Sequence, residues 1–157
     1  EIMGKRLFVA MLLTALIAGV GTVGAFDAAS GADPFAGRWR VAEVRAAGVH
    51  TMESFQEAEA LIGSTLSVAA RAIRLPDGTF CARRAAEKII LRDDMQTFGS
   101  AGGSWRRIGL EASAERQYHV LQSELDCPRS FNRLLAQPRQ GVFLIGYNEV
   151  YILLAKL

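Results

Sequence analysis

Between Arg38 and Leu157 the apolar residues fall in short runs with a period of two, and glycine, proline and polar residues interrupt them at regular intervals. A period of two puts neighbouring side chains on opposite faces of a strand, so each run reads as a half-buried β-strand. Trp39 and Val41 alternate with Arg38 and Arg40, and this first strand runs to about Arg45 before Ala46-Ala47-Gly48 turns it. Thr65 to Arg74 is expected to be extended, and Pro76-Asp77-Gly78 is a strong turn that returns the chain through Thr79-Phe80-Cys81. Further strands are expected over Glu87–Arg92, Arg116–Leu125 and Phe131–Leu135, and Trp105–Leu110 carries a similar apolar pattern. Val142–Ile145 and Val150–Leu154 form a closing hairpin around Gly146-Tyr147-Asn148-Glu149. Seven or eight short strands at this spacing predict an antiparallel barrel or a sandwich. Closure removes exposed edges, which favours a mainly β fold built as a small antiparallel barrel.

One segment breaks the rhythm. Ser54-Phe55-Gln56-Glu57 is a Ser-x-x-Glu capping box, which predicts a short helix near 54–62 that Gly63 stops. Phe55, Ala58, Leu61 and Ile62 share one face and would cover one end of the sheet.

Ahead of the strands lies a leader. Met3-Gly4-Lys5-Arg6 is basic, Leu7 to Val20 is uncharged, and small residues follow at Val23-Gly24-Ala25. That order predicts a signal peptide cleaved after Ala25 and a periplasmic or secreted product. The alternative is a retained anchor, since Leu7 to Ala25 is 19 residues without a charge. Gly19, Gly21 and Gly24 weaken its last third as a helix, and no stop-transfer cluster follows. Membrane association is expected only if this segment is kept. The expected organisation is a signal peptide over 1–25, a disordered lead-in over 26–34 and one domain over 35–157.

Cleavage would remove Lys5, Arg6 and Glu1 from the chain's 18 Lys+Arg and 16 Asp+Glu, leaving a formal charge of +1. A near-neutral surface argues against nucleic acid, which demands a basic stripe to displace counterions. Cys81 and Cys127 both lie in the exported part, where a disulfide is the simplest use of two cysteines. No Cys-x-x-Cys spacing points to redox chemistry.

Asp33-Pro34-Phe35-Ala36-Gly37-Arg38-Trp39-Arg40-Val41 resembles the Gly-x-Trp opening strand of the lipocalin-like, or calycin, barrels. The resemblance implies a barrel whose first-strand Trp closes one end, with a basic residue from a late strand packed over it, a role that falls to Lys156. It also implies an internal cavity without naming its ligand. The helix after the first strand departs from that pattern.

Chemistry-bearing spacings are sparse. His50 and His119 are the two histidines; Ser123 shares a strand face with His119 but lies about 13 Å away in extended geometry. No Gly-x-Ser-x-Gly elbow and no His-x-His or His-Glu-x-x-His motif is present, so neither a catalytic nor a metal role is expected. Asp93-Asp94 reads as a solvated start to a long mobile loop over 93–104, whose Gly99 to Gly103 lacks the Gly-Lys-Ser/Thr of a phosphate loop. That loop is a candidate lid over a barrel mouth. Trp39, Phe98, Trp105 and Tyr118 are the candidate ligand-binding residues, Phe98 and Trp105 because they flank the glycine-rich stretch. The expected protein needs no cofactor and performs no catalysis. It binds a small apolar ligand in a hollow barrel, or else acts as an envelope interaction protein, or an inhibitor of a lysozyme or protease, through the 93–104 loop.

Overall fold

In a computed structural model, which describes residues 31–157, β1 (Gly37–Arg45) sets the pattern of the fold. Trp39 and Val41 are buried and Arg38 and Arg40 are exposed, as the alternation requires. A bulge between Val41 and Glu43 shifts the register of β1 and turns Val44 into the next buried position.

The remaining strands are β2 (Thr65–Val68), β3 (Ala72–Arg74), β4 (Phe80–Arg83), β5 (Glu87–Arg92), β6 (Gln117–Asp126), β7 (Phe131–Gln137), β8 (Val142–Tyr147) and β9 (Val150–Lys156). All pairings are antiparallel, in the order β4-β3-β2-β1-β9-β8-β7-β6-β5, and β4 also pairs with β6. That extra pairing closes eight strands into a barrel and leaves β5 as a ninth strand beside β6. The closed eight-strand ring is compatible with the lipocalin-like barrel that the Gly-x-Trp strand resembles.

Two elements differ from expectation. The stretch from Thr65 to Arg74 is two strands, not one: Ala69 N donates to Ala72 O at 2.9 Å and the chain doubles back. No glycine or proline marks that turn, but doubling back brings both Val68 and Ile73 into the core. The helix, α1 (Met52–Glu59), begins before Ser54, because Thr51 is its cap and accepts from Ser54 N at 3.1 Å. Phe55, Ala58 and Leu61 pack against the barrel core, whereas Ile62 lies past the last turn and is exposed.

The barrel closes at a narrow seam. Only Ala82↔Asp126 and Arg83↔Leu125 are in register between β4 and β6, supplemented by Arg84 N donating to Glu124 O at 2.9 Å. Side chains carry much of the join. The Cys81–Cys127 disulfide bridges the two sides. Arg83, whose side chain is 1% exposed, donates to Ser123 Oγ at 3.0 Å, to Ala69 O at 3.0 Å and to both carboxylate oxygens of Asp33 at 2.7 and 3.2 Å. Asp33 falls in the segment expected as a disordered lead-in, yet it is the counter-ion of the buried seam arginine.

Two cores result from the same alternation. The inner one draws on all eight barrel strands, with Trp39, Leu66, Ile73, Cys81, Leu134, Ile145 and Ile152 among its buried members. Trp39 is fixed there from three sides. Its Nε1 donates to Phe35 O at 2.8 Å, the Phe143 ring centroid is 4.6 Å away, and Lys156 Nζ stands 5.2 Å over the indole. The expected Lys156 contact is therefore present, but the interior around Trp39 is filled by side chains rather than hollow. The second core, with Trp105, Ile108, Leu110, Tyr118, Leu135, Leu144 and Tyr151, takes strand residues from β5 to β9 only. It occupies their opposite, outer face.

Candidate binding surface

The chain after β5 does not hang as a mobile loop over a barrel mouth. It is pinned to the outer wall, and Asp93 is the reason. One of its carboxylate oxygens accepts from Trp105 N at 2.9 Å, and the other accepts from Ser104 Oγ at 2.9 Å and Tyr118 Oη at 2.8 Å. Trp105 Nε1 donates to Arg92 O at 3.0 Å, and Ser104 N donates to Ala47 O at 2.8 Å. Farther along, Gln137 holds both backbone groups of Glu111, accepting from its N at 2.7 Å and donating to its O at 2.8 Å.

Asp94 has a different task. It caps the short helix α2 (Met95–Phe98), accepting from Thr97 N at 2.9 Å. Hydrogen bonds from Thr97 hold its carboxyl below the usual carboxylate value. The Asp93-Asp94 pair, expected to be a solvated loop start, is thus the clamp and the cap of the segment it begins. An Asp three residues before Thr at a helix start was the available signal for Asp94; nothing local marked Asp93.

Of the four candidate ligand-binding residues, the structure brings three together. Phe98 and Trp105 have ring centroids 5.2 Å apart, and Tyr118 meets Trp105 in the outer core. Trp39 lies in the other core and shares no surface with them. Trp105 and Tyr118 are buried, so Phe98 is the member of the trio nearest solvent. Gly103 permits this packing: a Cβ there would press into the Phe98 ring and lie 2.7 Å from Ala47 O. Gly103→Ala is expected to cost about 1–3 kcal/mol by overpacking, and chemical denaturation measures it. A loss below about 0.5 kcal/mol would mean the segment is not held against the wall.

The wall also carries a residue that the sequence did not single out. Arg133 of β7 faces outward on the same side as Leu135 and Gln137. Its guanidinium lies 5.4 Å from the Trp105 ring centroid and 5.7 Å from that of Tyr151. One Nη donates to Gln122 Oε1 at 3.0 Å and the other to Tyr151 Oη. Two open clefts meet at this side chain. One of about 480 Å³ is bordered by Val49, Phe98, Trp105 and Glu149, the other, of about 460 Å³, by Gln122, Glu124 and Asn132. Beside β5 a third open cleft, of about 820 Å³, is bordered by Lys88, Ile90, His119 and Arg139.

The histidines do not meet a nucleophile. His119 is exposed on β6, and His50 contacts Gly48 O through Nδ1 at 3.2 Å. Ser123 is absorbed by the seam, accepting from Arg83 Nε at 3.0 Å and donating to Arg84 O at 2.6 Å. Among the described residues no group of three or more His, Cys, Asp or Glu side chains could hold a metal ion, and no helix is long and apolar enough to cross a membrane. The expected signal peptide lies outside the described residues. No family model matches the chain, and neither a curated protein nor a solved structure shows significant similarity to it.

Proposed function

We propose that this chain is an exported, non-enzymatic binding protein that engages an envelope protein through the outer wall covered by residues 93–112. The observation that carries this reading is the filled interior: Trp39 and Ile152 are almost wholly buried and the Phe143 ring packs at a tilt against Trp39. A small apolar ligand inside the barrel would have to displace well-packed side chains, a cost of several kcal/mol. Space for a partner lies on the outside, where the Phe98 cleft is flanked by Val49, a large apolar residue left 70% exposed. An inhibitor of a lysozyme or protease is one member of this class. Export rests on the leader and on the disulfide, which is stable in an oxidising compartment.

The test is capture from envelope extract with the wild-type protein and with Val49→Arg, whose exposed site leaves the fold alone. A partner retained by the wild type and lost by the variant, at an unchanged melting temperature, is the expected result. Equal retention by both proteins would exclude this wall. Stoichiometric binding of an apolar fluorescent probe inside the barrel would overturn the reading altogether. Mass spectrometry of exported material should find a mature N-terminus at Phe26.

A further inference from the structure

We infer that Arg133 is the anchor for a single carboxylate, an Asp or Glu side chain presented by the partner protein. This rests on the reading of the wall as a docking face. Arg133 is half-buried, and both of its hydrogen-bond partners, Gln122 and Tyr151, are neutral. Among the described residues no carboxylate lies within ion-pair distance of it.

The same fold shows what a satisfied arginine looks like. Arg83 has its charge matched by Asp33 and further donors spent on Ser123 and Ala69 O. Arg133 instead has two donors engaged, both by neutral groups, leaves its other N–H groups without a protein partner among the described residues, and borders both clefts.

The nearby acids are occupied elsewhere. Glu124 is the cross-strand neighbour of Arg133, but its carboxylate sits 3.1 Å from Arg84 Nη1 across the seam. Glu149 accepts from Thr51 N and Thr51 Oγ1 at 3.3 and 3.4 Å. Both remain on the cleft borders, so the local field tolerates one extra negative charge and opposes two. That selects a carboxylate over a phosphate dianion. Trp105 and Tyr151 strengthen the preference. The Trp105 ring beside the guanidinium strips part of its hydration, and the Tyr151 hydroxyl holds its plane, which prepares it for a bidentate, charge-assisted pair.

The side-chain Nε–H resonance of Arg133 reads this site directly in the disulfide-intact protein. Titration with N-acetyl-glutamate amide is expected to shift it saturably, with a dissociation constant on the order of millimolar. N-acetyl-glutamine amide should leave it unmoved, and inorganic phosphate should bind more weakly than the glutamate probe. Arg133→Lys keeps the charge but loses the fork, and binding followed through the Trp105 indole N–H should weaken roughly tenfold. Arg133→Gln should abolish it. A shift that never saturates, an equal response to the glutamine probe or to phosphate, or undiminished binding by Arg133→Gln would each overturn the assignment. The wild-type titration decides the matter even if a variant fails to fold. Should it fail while capture remains sensitive to Val49→Arg, the anchor is wrong and the docking face stands.

Discussion

Replacing both Cys81 and Cys127 by serine is expected to lower the melting temperature by on the order of 10–15 °C. The cross-link spans 46 residues, and in the chain-entropy view removing it frees the unfolded chain by about 3–4 kcal/mol. Its position adds to that figure. The bridge lies beside the junction that closes the ring, where only two register pairs join β4 to β6; the β2–β3 pairing is as short but is tied by its own turn, while four pairs join β6 to β7. Opening the seam exposes the Arg83 cluster to water and lets the inner core fray from one side. Thermal melts of the oxidised, reduced and doubly substituted protein should give the first as most stable and the other two alike. A difference below about 1 kcal/mol would mean that the seam holds through its hydrogen bonds alone.

Asp33→Ala is expected to destabilise the fold by about 3 kcal/mol, although Asp33 stands before the first strand. It leaves the Arg83 guanidinium buried without a counter-ion, and an uncompensated buried charge costs more than the intact pair contributes. The diagnostic result comes from the double variant. Arg83→Met removes the stranded charge and keeps an unbranched apolar stem in its place, so Asp33→Ala/Arg83→Met should be more stable than Asp33→Ala alone. Additive losses in denaturant unfolding would show that Asp33 acts only through its local bond from Phe35 N, at 3.1 Å. Truncation after Pro34 should reproduce the Asp33→Ala loss, which places the working boundary of the barrel upstream of Phe35.

Much of the fold was legible because its causes are local. Trp39-Arg40-Val41 and Tyr118-His119-Val120 alternate within a few residues, and Pro76-Asp77-Gly78 turns the chain by its own conformational preferences. The Ala69–Arg71 turn was not legible, because no residue in it demands a turn; pairing Val68 with Ile73 demands it. The candidate site was half legible. Phe98, Trp105 and Tyr118 could be chosen as aromatic residues near a glycine-rich stretch, but Arg133 has no local signature at all. It becomes distinctive only when β6, β7 and β9 place Gln122 and Tyr151 beside it and the returning segment lays Trp105 against it.

The amino-acid order alone determined strands, turns, one helix and a pair of cysteines suited to a disulfide, since each depends on residues close in the chain or on simple chemistry. It also determined that every strand has two faces. Which face looks inward was decided only by closure, when β4 met β6 and curled eight strands around Trp39 and Ile152. That same event made the opposite face of β5 to β9 an outer wall in need of cover, and Asp93 fastened residues 93–112 over it. A period of two records that the faces differ; curvature, a property of the whole ring, assigns them.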